Sequence, residues 1–377
     1  MSAARVQVVI VNWNGREFLG PCLESVRAQR GDAGSGVLDV RVLVVDNGST
    51  DGSLEYLAQH GADVEVVRSA ANNYTAANNL GVARADGEFA LLLNTDATLS
   101  PGCLAALVAA LRADARAAAA APKIVFPDGR LCTTGIAQRD DLYWVDRDGG
   151  APDPDPGERA PAPPGPVLGV SGCCALFRVA AWRAVGGQDE AFHMYYEDVD
   201  LALRLGAAGW RSLYVPAARC VHEGHGSIRK AKTWKDELGE RNRLLVLARW
   251  FPDRFAAELV RSPWFQSAEP AQVRALLPLL AQRRAAADDG SGDPQGVLLD
   301  LLLALRDAVR VHAGELDARW GEHRNLPKIL GEREAWIATL LEEVARLRLW
   351  RLPGKRLKSA ERAFLDRVRG RIGPGGA

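Results

Sequence analysis

The sequence predicts an α/β protein built on a mainly parallel, helix-covered sheet, followed by an α-helical region. Three observations point there. Continuous apolar runs at residues 6–11, 41–45 and 89–93 have the length of strands buried on both faces. Segments with helical spacing separate these runs, and repeated β-α units of this size imply a parallel sheet. Each run also stops abruptly in polar residues: Asn12-Trp13-Asn14, Asp46-Asn47-Gly48-Ser49 and Asn94-Thr95-Asp96. In open α/β sheets, ligands bind at the carboxyl ends of the strands.

The elements follow in order. Phe18, Leu19, Cys22, Leu23 and Val26 give residues 18–29 a helical face. A helix is expected over 51–60, opening at Asp51 as an N-cap candidate. A strand over 64–68, a helix over 76–85, the strand at 89–93 and a helix over 101–113 complete the first third. Residues 146–166 are dense in Pro, Gly and Asp and predict a mobile loop. Structure resumes at 169–178, then as a helix over 202–209 and a strand over 212–215. Beyond about residue 228 only helical patterns remain, at 244–250, 271–285, 297–320 and 332–350. The expected domains are therefore 1–235, with halves meeting near residue 100, and a helical region over 236–377.

Composition excludes several classes. Among 377 residues, Lys+Arg 47 balance Asp+Glu 47, which gives no basis for nucleic-acid binding. Six cysteines without CxxC spacing argue against a zinc site and a disulfide scaffold, and fit a reducing compartment. No leader pattern and no apolar segment of spanning length is present, so a cytoplasmic location is expected. There is no GxGxxG after the first strand, no GxxxxGK[ST] and no Gly-x-Ser-x-Gly. Dehydrogenase, P-loop and α/β-hydrolase readings lose their main support.

Three constellations could carry chemistry. The strand-end clusters form one polar ledge if their strands are neighbours, with Asp96 able to hold a divalent cation against a phosphorylated ligand. Taken alone, Asp46-Asn47-Gly48 could equally be an ordinary turn. Tyr195-Tyr196-Glu197-Asp198-Val199-Asp200 places three acids at a helix start, where the dipole alone could explain them. Its tyrosines, with Trp210, could instead wall a sugar ring, and a carboxylate in such surroundings can serve as a general base. Val221-His222-Glu223-Gly224-His225 is weakly metal-like by itself. If His222 reaches Asp96, the pair leaves open positions for diphosphate oxygens.

Together these clusters resemble family 2 glycosyltransferases of the GT-A fold, most closely the rhamnosyltransferase-like branch. The resemblance runs through Val8-Val9-Ile10-Val11-Asn12-Trp13-Asn14, Val44-Val45-Asp46-Asn47-Gly48-Ser49, Asn72-Asn73 and Ala76-Ala77-Asn78-Asn79-Leu80-Gly81. Leu92-Leu93-Asn94-Thr95-Asp96 stands at the DxD position, and Gly186-Gly187-Gln188, Tyr196-Glu197-Asp198-Val199-Asp200 and Val221-His222 follow.

The resemblance implies an inverting, metal-dependent transfer from a UDP- or dTDP-sugar to a hydroxyl of a glycan, lipid-linked or small-molecule acceptor, in bacterial polysaccharide or glycoconjugate synthesis. Asp198 would be the base and Glu197 would position the acceptor. Asp96 and His222 would hold Mn2+ or Mg2+. Asp46 would recognise the base of the nucleotide, with Asn12, Asn14, Asn73, Asn78, Asn94 and Thr95 in the donor pocket. Asn94 departs from DxD by replacing its first acid, and Gln188 and His193 stand where aromatics are usual. A nucleotidyltransferase would want a Gly-rich basic loop after the first strand, where Asn12–Arg16 is not one. An inactive sugar-binding module would not need Asp96, Asp198 and His222. Residues 346–371 mix Arg and Lys with Leu347, Leu349, Trp350, Leu352, Leu357 and Phe364. That pattern suits peripheral contact with an anionic membrane, or a homo-oligomer interface.

Overall fold

A computed structural model describes residues 3–31, 38–153, 164–224 and 232–251, with seven single positions between 254 and 265. The chain divides into two units, Met1–Gly239 and Glu240–Ala377. The first opens with β1 (Ala4–Asn12), α1 (Arg16–Ala28), β2 (Leu38–Asp46), α2 (Ser53–His60), β3 (Val64–Arg68), α3 (Tyr74–Ala83) and β4 (Phe89–Asn94). It continues through β5 (Ala97–Leu99), α4 (Cys103–Ala113), β6 (Ala117–Val125), β7 (Leu131–Thr133), β8 (Ile136–Gln138) and β9 (Trp144–Asp146). Then come β10 (Gly165–Val167), β11 (Cys174–Arg178), α5 (Val179–Ala184), α6 (Glu197–Ala207), β12 (Arg211–His222) and α7 (Lys232–Trp250), whose last residues enter the second unit.

The main sheet runs β10-β12-β6-β11-β4-β1-β2-β3, with β5 on β12 and β7 on β6. Strands β3, β2, β1 and β4 are mutually parallel, whereas β11 is antiparallel to both β4 and β6. The β8–β9 hairpin stands apart as a two-stranded sheet. Side chains along β1 alternate between two cores. Val6, Val8 and Ile10 pack with α1 and α4 on one face. Val9 and Val11 pack with α3, α5 and α6 on the other. Burial on both faces accounts for the unbroken apolar runs in the sequence.

Register turns the strand ends into a ledge. Asn12 lies opposite Asp46, and Val11 lies opposite Asn94. The three polar clusters are therefore neighbours at one edge of the parallel half of the sheet.

Helix α3 is pressed against β1 through Gly81, where a Cβ would come within 2.2 Å of Val9 Cγ1. Gly81→Ala is expected to lower stability by about 1–3 kcal/mol through overpacking, read as a fall in thermal midpoint.

Several expectations shift. Within the expected 146–166 loop, Asp146 closes β9 and residues 165–167 form β10. Asp153 is buried and paired with Lys123 (3.0 Å) and Arg219 (2.8 Å). A carboxylate removed from water needs such partners, and they fix this stretch to β6 and β12. The helix expected to open at Asp51 starts at Ser53, with Asp51 Oδ1 accepting from the Ser53 N–H at 3.0 Å. Within the second unit, Arg243 is buried and paired with Glu240 (2.8 Å) and Glu258 (3.1 Å). The helices expected at 271–285, 297–320 and 332–350, the basic stretch 346–371 and the centre of the 146–166 loop lie outside the described residues. Among the described residues, no helix is long and apolar enough to cross a membrane.

Candidate active site

A cavity of about 840 Å³ opens over the carboxyl ends of β1 and β4. Its wall includes Trp13 and Gly15 after β1, Asn94, Thr95 and Asp96 after β4, and Ser171, Gly172 and Cys173 before β11. Trp144, Val145 and Asp146 come from the β8–β9 hairpin, Met194 to Val199 from the start of α6, and His222 from β12. Of the expected site residues, Asn94, Thr95, Asp96, Glu197, Asp198 and His222 share this wall.

Five others do not line it. Asp46 is buried, with Oδ1 accepting from Asn12 Nδ2 at 3.4 Å and Oδ2 from the Gly48 and Ser49 N–H groups at 3.3 and 3.2 Å. A buried strand-tip carboxylate must be satisfied locally, and the turn supplies the donors. Asn14 sits at φ 51° and accepts from the Thr50 N–H at 2.8 Å. Asn73 caps α3 by accepting from the Ala76 N–H at 3.1 Å, and Asn78 donates to Gln188 Oε1 at 3.1 Å. In the ligand-free structure these side chains shape the ledge beside the cavity. Trp210, considered as a sugar wall, packs against the core on the α6 face.

The metal-side residues converge. His222 Nε2 lies 3.3 Å from Asp96 Oδ1, brought there by antiparallel pairing of His222 with Ala97. The Glu223 N–H donates to the Asp96 carbonyl at 3.0 Å, which ties the two strand ends together. The other ring nitrogen, Nδ1, faces Cys132 Sγ at 3.6 Å. Asn94 Oδ1 accepts from the Tyr74 hydroxyl at 3.0 Å. Among the described residues, no three His, Cys, Asp or Glu side chains are arranged to hold a cation. A carboxylate and an imidazole nitrogen facing one another at a cavity wall do suit a divalent cation that also takes phosphate oxygens from a ligand. Such a mixed donor set tolerates Mn2+ better than Mg2+.

Across the cavity the start of α6 separates three acids. Asp200 is fully buried and paired with Arg204 at 2.8 Å. Asp198, open to the cavity, accepts from the Gly172 N–H at 3.3 Å and the Val199 N–H at 2.8 Å. Burial, then repulsion from Asp146, pushes the Asp198 carboxyl up to about 6 against those two bonds. Glu197 is buried, and burial followed by the neighbouring Asp198 charge pushes its carboxyl well above the usual range.

Backbone strain aims this segment. His193, Tyr195 and Tyr196 hold φ of 64°, 67° and 64°, a region non-glycine residues rarely adopt. His193 is the centre of a γ-turn closed by the Met194 N–H on the Phe192 carbonyl at 2.7 Å. Such strain persists where surrounding structure over-determines it. Here the Thr75 N–H donates to the His193 carbonyl at 3.1 Å, anchoring the turn to α3.

Trp144, Asp146 and Tyr74 are wall residues that the sequence did not flag. Trp144 meets Tyr196 edge-on, with centroids 6.1 Å apart. Asn47 and Asn72, joined at 2.9 Å, take the wall position beside Asp46. Arg16, the cation nearest the β1 turn in sequence, stacks over Tyr56 at 3.8 Å. That geometry gives no support to the basic phosphate loop a nucleotidyltransferase would want.

Comparison with known proteins accords with this architecture. The profile of glycosyl transferase family 2 matches residues 7–186. Those residues are a glycosyl transferase family 2 domain. The N-acetylglucosaminyl-diphospho-decaprenol L-rhamnosyltransferase of Mycobacterium tuberculosis is 35% identical over 210 residues, 48% of this chain and 66% of its own length. The rhamnosyltransferase WbbL of Escherichia coli is 41% identical over 68 residues, 17% of this chain and 26% of its own. The chain therefore spans just under two thirds of the first relative and about a quarter of the second. A crystal structure of GalNAc-T7 with UDP, GalNAc and Mn2+ superposes with a TM-score of 0.52 at 18% identity, over 70% of this chain and 51% of that one. The family 2 domain thus has the GT-A fold.

Proposed function

We propose that this chain is an inverting glycosyltransferase that moves a sugar, with rhamnose the leading candidate, from a dTDP- or UDP-sugar to an acceptor hydroxyl. The acceptor would be a glycan or lipid-linked saccharide in bacterial polysaccharide or glycoconjugate synthesis. The observation that carries the reading is one cavity with Asp96 and His222 at one wall and Asp198 at another. The names of the rhamnosyltransferase relatives favour the donor class.

In this mechanism Asp198 Oδ1 or Oδ2 accepts the acceptor hydroxyl proton as the oxygen attacks the anomeric carbon. Its two backbone N–H donors keep the carboxylate oriented toward the cavity. Trp144, Tyr195 and Tyr196 offer apolar faces to the sugars and exclude water from a hydrolysable donor. Asp96 and His222 would hold the divalent cation, whose contribution is Lewis-acid stabilisation of the leaving diphosphate.

A thermal-shift panel of nucleoside diphosphate sugars tests the reading, because a ligand of the native state raises its stability. With Mn2+ a dTDP- or UDP-sugar is expected to raise the melting midpoint, and a chelator should abolish both that shift and nucleotide release. Metal-independent release, or no response to any donor, would overturn it.

A further inference from the structure

The three acids that open α6 are not equivalent, and the difference lies in what each carboxyl touches. Asp200 has a guanidinium, Arg204, at 2.8 Å. Asp198 has two backbone N–H donors, at 3.3 and 2.8 Å. Glu197 is 4% exposed, and its Oε2 is buried in the cavity wall with no hydrogen-bond partner. No Lys or Arg is among the described residues lining the cavity.

The titratable groups facing Glu197 come from several elements. Asp198 lies beside it on α6, and Tyr74 from α3 is close enough to sense its charge. Asp146 from β9 shares the wall, as does Cys173 before β11. Among the described residues, these nearest titratable neighbours are acids and weak acids, and the imidazole of His222 lines the same cavity. Two adjacent carboxyls in such a site cannot both ionise without large cost, so they share one proton. The N–H donors at Asp198 stabilise an anion there, whereas the bare Oε2 of Glu197 has none. An ionised oxygen left unpaired in that position would be strongly unfavourable.

We infer that Glu197 stands in the cavity wall as the neutral carboxylic acid and donates a hydrogen bond from its carboxyl O–H to an oxygen of the bound sugar. The two neighbours then divide the labour. Asp198 takes a proton, and Glu197 presents one without releasing it. The ligand atom opposite Glu197 must be a lone-pair oxygen, such as a sugar hydroxyl or ring oxygen, and not an ammonium or an amide N–H.

The inference rests on the transfer reading for its ligand, but the proton itself can be sought in the free protein. Infrared difference spectra of wild type against Glu197→Gln at neutral pH should show the C=O stretch of a protonated carboxyl, lost in the variant. That band should move to lower frequency when the nucleotide sugar or acceptor binds. Its absence, or its persistence in Glu197→Gln, would overturn the neutral acid. A band unmoved by a ligand that does bind would overturn the donated hydrogen bond. If no nucleotide sugar binds at all, the transfer reading and the donated bond fail together, while the free-protein band still reports on the proton.

Kinetics give a second readout. Glu197→Gln keeps an N–H donor at the same place and should retain roughly tenfold more kcat/KM than Glu197→Ala, the worth of about one hydrogen bond. Equal losses would count against donation, and melting midpoints of both variants would separate either result from misfolding.

Discussion

Asp198→Asn is expected to lower the turnover of transfer by about 10²–10⁴-fold, the usual contribution of a general base. Mn2+-dependent nucleotide binding should be unchanged, because Asp198 stands on α6 whereas Asp96 and His222 stand at the ends of β4 and β12. Single-turnover transfer and a nucleotide titration measure the two separately, and undiminished turnover would remove Asp198 as the base. The pH profile carries the same assignment. The Asp198 carboxyl is pushed up to about 6, so activity should fall as pH drops through that value, where the base becomes protonated. Repulsion from Asp146 is part of the cause, so Asp146→Asn should move this acid limb to lower pH.

Stability should respond in the opposite sense. A carboxyl raised in the folded state binds its proton more tightly there than in the unfolded chain. Its contribution is therefore fully present below the unfolded value and is lost as pH rises through about 6. Asp198→Asn should accordingly melt higher than wild type at pH 7–8, with the gap closing under acid conditions. A dead variant that is also more stable cannot be explained by misfolding.

The parallel half of the sheet was legible because burial on both faces of β1, β2 and β4 leaves unbroken apolar runs, and polar residues can stop such runs only where solvent or ligand begins. The antiparallel half was not. β6 contains Ala117 to Ala121 followed by Pro122, a stretch without period and rich in the residue that favours helices most. Tertiary context overrides that preference: all nine residues of β6 are buried, paired with β11, β12 and β7. The β8–β9 hairpin was missed because three-residue strands carry no readable alternation, and with it went Trp144 and Asp146. Within the ledge, residue type alone does not give a side chain's direction. Asp46 reads as a ligand-facing acid, and in the ligand-free structure its oxygens accept from Asn12 and the Gly48-Ser49 turn. Tyr74 could not be read from sequence at all, since only the fold brings its hydroxyl to Asn94 and Gly172.

Asp96→Ala and His222→Ala should each weaken Mn2+-dependent donor binding by more than about 100-fold, beyond the 10–100-fold typical of losing an outer partner. The reason is arithmetic of donors. Asn94 stands where a second acid could have shared the load, but its Oδ1 already accepts from Tyr74 at 3.0 Å. Among the described residues, Asp96 and His222, 3.3 Å apart, are left as the protein's side of the site, so neither loss should be readily absorbed. Titration of Mn2+ and nucleotide by calorimetry reads the effect directly, and unaltered affinity in either variant would refute that residue's role. Metal preference gives an independent check. An imidazole beside a carboxylate favours Mn2+ over Mg2+, which prefers oxygen alone, so His222→Asp should narrow the Mn2+ over Mg2+ ratio even as overall affinity falls. Cys132 extends the argument outward: with Sγ 3.6 Å from Nδ1, it can accept the ring N–H when Nε2 gives its lone pair to a cation. Cys132→Ala should then weaken Mn2+ binding within the 10–100-fold range, while Cys132→Ser, which keeps an acceptor, should lose less.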